Sequence, residues 1–245
     1  MARSANGKGA VETRIRMEDD GAVFAAAYPA IVPVLIEEYR GKIELEVYTG
    51  AKERVLAHLD AYGDRLFSEK SLLALASSLD SYIEENGYRR DRRASSRLYN
   101  SYELHARAAE GLIRPDSHRL TEILLRERVR RNDTTFSLKE LLEKELPAFV
   151  TLVDGAVVSI AAINEQAGGG AIPEITVETA VAARRHGFAL SNVAALANYI
   201  LSQGSPTAYC CRTNHAASNR IARRAGFEPV GRFYALTAYK SSEVK

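Results

Sequence analysis

The 245 residues, 46% hydrophobic and 26% charged, suffice for a substantial core without help from disulfides or metal, and they exclude a disordered or fibrous chain. The 33 basic and 31 acidic residues leave a formal charge of +2, which excludes a dominant electrostatic field for nucleic acid or membrane. Two adjacent cysteines, Cys210 and Cys211, and five histidines without paired ligand spacing exclude a disulfide framework and a four-ligand zinc or iron site.

Residues 1–10 carry Arg3 and Lys8 with no apolar run or cleavage site behind them, so no secretory leader is read there. The apolar stretch 23–36 is short, is broken by prolines and runs into Glu37 and Glu38, so it predicts no membrane span, and a cytoplasmic location is expected. Residues 42–49 suit a short strand. Leucines, alanines and aromatics recur at helical spacing over 52–62 and 71–85, with Gly63 and Gly87 as interruptions, and residues 97–110 form another helical candidate. Gly111 and the Arg114-Pro115-Asp116 turn separate it from the arginine-rich segment 117–130. Ser137 followed by Glu140 is a capping box for a helix over 138–146. Residues 1–146 are thus expected to be a mostly helical region, containing at most the first elements of the domain that follows.

The basic run Arg89, Arg90, Arg92, Arg93 and Arg97 has two readings. Clustered guanidiniums neutralise phosphates, which suits an RNA or another anionic partner; interspersed acids and the near-zero net charge favour a solvated helix face instead. The same applies to the arginines of 126–131. No nucleic-acid partner is expected.

From Pro147 the pattern changes. Residues 149–153, the turn Asp154-Gly155 and residues 156–164 read as a hairpin. The segment Ala167-Gly168-Gly169-Gly170 leads into a strand over 172–179. Residues 188–201 then read as a helix, 207–212 as a strand, 216–224 as a helix and 228–239 as terminal β structure. This is an α/β order whose strand ends can form a cleft.

The turn Arg184-Arg185-His186-Gly187-Phe188-Ala189 lies between a predicted strand and a long predicted helix. Such a turn presents successive backbone N–H groups at a helix start, where they bind phosphate without metal, and Gly187 permits close approach. An ordinary strand-to-helix turn with exposed arginines has the same composition.

These residues resemble the GNAT superfamily of N-acetyltransferases, whose acyl-CoA loop is written Q/R-x-x-G-x-G/A; Arg184, Gly187 and Ala189 fit it. The preceding strand with Glu178-Thr179, the following helix, and Asn214-His215-Ala216-Ala217-Ser218 leading to Gly226-Phe227 occur in the family's order and look like a bacterial branch. The resemblance covers about residues 147–239. It implies a mixed, mainly antiparallel α/β sheet flanked by helices, to which residues 1–146 add a helical region, with acetyl-CoA bound in a domain over 147–245. It further implies that Val177 and Thr179 border the pantetheine arm, that Arg184, Arg185, His186, Gly187, Phe188 and Ala189 hold the pyrophosphate, and that Asn214 and Ser218 lie near the cofactor.

Alternation puts Glu174, Thr176 and Glu178 on one face of the strand and Ile175 and Val177 on the other. Glu178 is the first candidate general base and Glu174 the second; the alternative is that Glu178 only orients the loop. Many relatives have a tyrosine four residues before the glycine of the Gly-Phe pair, where this chain has Ala222, so the acid that protonates the leaving thiolate falls to Tyr234, Tyr239 or solvent. A covalent role for Cys210 or Cys211 is disfavoured, because His215 alone does not make an activated pair. The resulting expectation is direct acetyl transfer to an amine of a small molecule or peptide, with homodimerisation open. The competing expectations are a noncatalytic acyl-CoA-binding or protein-interaction module and, last, an RNA-associated helical protein.

Overall fold

The computed structural model describes residues 13–26, 28–90, 96–108, 110–126, 129–164 and 172–241. In chain order the elements are β1 (Thr13–Glu18), α1 (Asp20–Ala26), β2 (Ala30–Tyr39), β3 (Lys42–Tyr48), α2 (Lys52–Tyr62), α3 (Glu69–Ser78), α4 (Asp80–Glu85), β4 (Tyr88–Arg89) and β5 (Ser96–Leu104). They continue with β6 (Ser117–Arg119), α5 (Leu120–Arg126), β7 (Arg131–Asn132), α6 (Leu138–Glu143), β8 (Ala148–Val153), β9 (Ala156–Ile163), β10 (Ile175–Thr179), α7 (Phe188–Ser202), β11 (Thr207–Arg212), α8 (Ala216–Ala225) and β12 (Glu228–Lys240). The fold is mixed α/β, with largely antiparallel sheets flanked by helices. By compactness the chain divides into two units, Met1–Asn100 with Gly231–Lys245, and Ser101–Val230.

In the first unit the strand order is β1-β3-β2-β12, with β4 also paired to β12. Register puts Val34 and Ile36 of β2 beside Val47 and Leu45 of β3, so these four present one apolar face. Leu72, Leu75 and Leu79 from the helical segment cover that face and are at most 5% exposed. Each such side chain contributes roughly 1.5–3 kcal/mol on burial. His58 of α2 and Ser71 of α3 meet inside this layer at 2.8 Å, which satisfies two polar groups that burial would otherwise strand.

Residues 71–85, whose spacing suggests one helix, form α3 and α4 with a break at Leu79, whose N–H bonds back three residues to Ala76. Of residues 97–110, read above as helical, those through Leu104 lie on β5, residues 105–108 are irregular chain, and Glu110 opens a short helical turn that runs to Leu112. Leu98 and Tyr102 stand four apart, as on one helix face, but Leu98, Tyr102 and Leu104 together fit a period of two, and the tyrosine-rich composition suits a pleated surface. With β1, β2, β3, β4 and β5, the N-terminal part carries strands in quantity beside its helices.

The basic run is not one solvated helix face. Arg90 forms two hydrogen bonds to Asp80, Arg89 donates to the Ser241 carbonyl at 2.9 Å, and Arg97 lies on β5 with a buried Nε that has no partner. Arg92 and Arg93 lie outside the described residues, as does the glycine segment 167–170.

In the second unit the order is β10-β9-β8-β6, antiparallel throughout, with β7 parallel to β9. The β8–β9 hairpin closes through Asp154 and Gly155, both at positive φ, as a two-residue turn of this type requires. Ser137 caps α6 by accepting the Glu140 N–H at 3.2 Å, while the Glu140 carboxylate turns to Lys144. The central helix α7 buries ten of its fifteen residues, including Val193, Ala194, Leu196 and Ala197, and packs with Ile175 of β10 and with Tyr209 and Cys211 of β11. Ala222 and Ala225 of α8 close the same core.

Candidate active site

The chain passes from β10 through α7 to β11, a parallel crossover, and this pair of strands makes the site. The strands meet at one end only: Glu174 bridges Ala208 in parallel, and Pro173 O accepts from the Ala208 amide and the Thr207 hydroxyl, each at 2.8 Å. Among the described residues no further bridge joins them, so they part toward their carboxyl ends. Crevices at that end of parallel strands are where α/β sheets bind ligands.

The other edge of β10 determines what faces the opening. Asn164 N donates to Glu174 O and Ala180 N to Val158 O, so Glu174, Thr176, Glu178 and Ala180 take the positions hydrogen-bonded to β9. The N–H and C=O groups of Val177 and Thr179 therefore project toward β11, into the part of the edge that β11 leaves. Their side chains point to the α7 face, where Val177 packs on the core; Thr179 Oγ1 lies 2.8 Å from Ser159 Oγ.

The Arg184–Ala189 segment forms the start of α7. Arg185 has φ 69° and Gly187, the N-cap, has φ 85°, so two left-handed residues bend the chain into the helix, which has no side-chain cap. The first-turn amides of Phe188, Ala189 and Leu190 have no partner within the helix. With the helix dipole and the exposed Arg184 and Arg185 beside them, they make a cradle of donors and positive charge that fits a diphosphate. A side-chain carbon at Gly187 would meet nothing within 4 Å, so the space over the turn is open. Arg184 Nε donates to Thr179 O at 3.2 Å, tying the turn to β10. His186 supports the loop, its Nδ1 lying 3.2 Å from Ala183 O and its ring stacked on Phe188 at 5.5 Å. The Phe188 ring is buried with Ala156 and Val158.

On the face of β10 away from α7, Glu178 accepts two hydrogen bonds from Thr135, from the amide at 3.0 Å and the hydroxyl at 2.6 Å, both on Oε2. Glu174 is half-buried, and burial raises its carboxyl above the usual range, against the opposing hydrogen bonds from Asn164 and Cys210. Burial pushes the Cys210 thiol far up, with Glu174 adding to the effect, and pushes Cys211 up to about 11. An activated cysteine nucleophile shows the reverse shift.

Asn214 is exposed at the end of β11, and Ser218 sits in the first turn of α8, accepting a hydrogen bond from the buried Tyr209 hydroxyl at 3.2 Å. Glu174, Val177, Glu178, Thr179, residues 184–189, Asn214 and Ser218 thus all belong to the second unit. Tyr234 and Tyr239 belong to the first. Tyr234 is fully buried there and donates to Leu72 O at 3.4 Å, and Tyr239 pairs with Ala30 of β2 and Arg89 of β4.

Three participants are absent from the sequence reading. Thr135 lies 43 positions before Glu178, and no pattern links the two. Tyr209 looks like any strand aromatic. Arg114 was legible only as part of a turn, yet its amide donates to Ser191 Oγ at 2.9 Å and its guanidinium reaches the α7 turn. Among the described residues no group of His, Cys, Asp and Glu is arranged to hold a metal ion, and no helix is long and apolar enough to cross a membrane.

No family model matches the chain, and no curated protein matches it in sequence. Among solved structures it is similar to a GNAT-family protein from Novosphingobium aromaticivorans, with a TM-score of 0.49 and 14% identity, over 63% of this chain and 68% of that one. It is similar to an acetyltransferase from the GNAT family of Colwellia psychrerythraea, with a TM-score of 0.45 and 14% identity, over 81% and 76% of the two chains. It is also similar to a GCN5-related N-acetyltransferase-like protein from Streptococcus suis, with a TM-score of 0.43 and 19% identity, over 69% and 68%.

Proposed function

We propose that the chain is an N-acetyltransferase that moves an acetyl group from acetyl-CoA directly to an amine of a small molecule or peptide. The observation that carries this reading is the parting of β10 and β11 beyond the Glu174–Ala208 bridge, beside a helix start whose amides are uncapped. One wall of the opening offers strand N–H and C=O groups suited to an extended amide-bearing arm. Its mouth offers a phosphate cradle.

Acetyl-CoA, when bound, supplies the acetyl thioester. The residues of the chain then have separable tasks. The amides of the α7 turn, with Arg184 and Arg185, bind the diphosphate. The Val177 N–H projects from the open edge and is placed to donate to an oxygen on which negative charge develops. Glu178 serves as the base that takes a proton from the acceptor ammonium: Thr135 occupies Oε2, which leaves Oε1 to face the amine. Glu174, at the closed end and on the same face, is the second carboxylate available to an acceptor. Ser218 accepts from Tyr209 and so keeps its own proton free to hold and orient a water, and solvent supplies the proton that the departing thiolate takes up.

Calorimetric titration with acetyl-CoA, followed by thiol release in the presence of a panel of amines, tests the reading. Saturable binding near one equivalent and amine-dependent thiol release are expected. Well-folded protein that binds no acetyl-CoA would overturn it; binding without release for any amine would favour a noncatalytic acyl-CoA-binding module.

A further inference from the structure

Arg114 lies between the short helical turn Glu110–Leu112 and β6, far in sequence from the α7 turn, yet it holds that turn by three contacts. Its amide donates to Ser191 Oγ at 2.9 Å, its Nη1 donates to the His186 carbonyl at 3.3 Å, and its guanidinium carbon lies 5.1 Å from the centre of the Phe188 ring. Asp116 grips the rest of the fork, accepting from Nε at 3.0 Å and from Nη2 at 2.8 Å. Two of the five N–H groups of the guanidinium are left over, one on each Nη.

The placement runs against ordinary electrostatics. A cation beside the N-terminus of a helix meets the positive end of its dipole and is disfavoured there, whereas an anion is favoured. Asp116 offsets part of that cost. Its carboxyl is held below the usual range by the hydrogen bonds from Arg114, and the pair stays exposed at 46% for the arginine and 36% for the aspartate. What the arginine gains at this place is geometric. It anchors the carbonyl of His186, between the two left-handed residues Arg185 and Gly187, and so holds the bend that aims the first-turn amides outward.

We propose that Arg114, oriented by Asp116, is a positioning residue for the diphosphate arm of the cofactor: it sets the shape of the 185–188 turn from outside the turn. The inference rests on the acetyl-CoA reading above. Lysine cannot replace it, because a single ammonium lacks the planar fork that serves Asp116 and the His186 carbonyl together.

The test compares two ligands on Arg114→Ala, Arg114→Lys and Asp116→Asn: CoA by calorimetry, and phosphate-free pantetheine by shifts of backbone amide resonances. All three variants are expected to weaken CoA binding, Arg114→Ala by about tenfold or more, with pantetheine affinity unchanged. Equal loss for both ligands would mean a general structural role and would overturn the proposal, as would CoA affinity equal to wild type in both arginine variants. If Arg114→Ala fails to fold, Asp116→Asn carries the test alone, because it leaves the arginine in place and removes only its anchor. Wild-type protein that binds pantetheine but shows no preference for CoA would overturn the phosphate cradle, and this inference with it. Wild-type protein that binds neither ligand would instead overturn the acetyl-CoA reading itself.

Discussion

Glu178 and Thr135 form a two-point contact: the carboxylate Oε2 accepts the threonine amide at 3.0 Å and its hydroxyl at 2.6 Å. The contact takes up Oε2 and leaves Oε1 without a bond to Thr135. Glu178→Gln keeps the shape and removes the base. Turnover should fall about 100-fold or more with acetyl-CoA affinity unchanged, as measured by steady-state kinetics beside calorimetry. Thr135→Val removes the hydroxyl but retains the amide, so it should lower turnover by roughly three- to tenfold, and Thr135→Ser should restore it. Unaltered turnover in Glu178→Gln would leave that residue a loop support.

Gly187 sits at φ 85° with open space around it. The penalty of Gly187→Ala is therefore backbone strain rather than collision, about 1–2 kcal/mol if the left-handed conformation is retained. A lower melting temperature and CoA binding weakened by about tenfold are expected. A crystal structure of the variant with the turn unchanged and affinity intact would remove the turn from the cofactor site.

Glu174 gives a pH signature. Burial raises its folded carboxyl above the ordinary 4.5, so the folded state holds the proton over a range in which the unfolded state has lost it. Stability from this group is complete below the unfolded value and is lost as pH rises through the folded one. Glu174→Gln has no such dependence. Relative to wild type it should become progressively more stable from pH 4 toward neutrality, which melting curves at stepped pH would read directly. A constant difference across that range would mean that Glu174 ionises as it does in the unfolded chain.

Gly231 tests the first unit apart from any chemistry. A side-chain carbon there would lie 1.8 Å from the backbone oxygen of Glu38, a distance that only movement of one strand relieves. Gly231→Ala should cost about 1–3 kcal/mol, or more if β2 and β12 cannot separate locally. Chemical denaturation would measure it, and a variant as stable as wild type would mean that the two strands are not this close.

Several parts of the architecture were legible without coordinates because their causes are local. Asp154-Gly155 specifies a hairpin through two left-handed residues, Ser137 caps its helix from three positions away, and the apolar run of α7 announces a buried helix. The turn before α7 was legible for the same reason: a glycine able to take a positive φ stands at the start of that helix. Residues 97–110 were misread because Leu98 and Tyr102, four apart, suit a helix as well as a strand, and the choice between the two belongs to the sheet pairing of β5.

Sequence by itself determined the mixed α/β order, the hairpin, the Ser137 cap and the turn with its arginines, since each depends on neighbours within a few residues. Only tertiary structure decided that β10 and β11 part after a single bridge, that Thr135 occupies one oxygen of Glu178, that burial raises Glu174, and that Arg114 grips the turn 72 residues away. Those features arise from backbone edges, desolvation and side-chain reach between segments distant along the chain. No local pattern encodes them, because the energy that selects them exists only once the sheets and helices have packed.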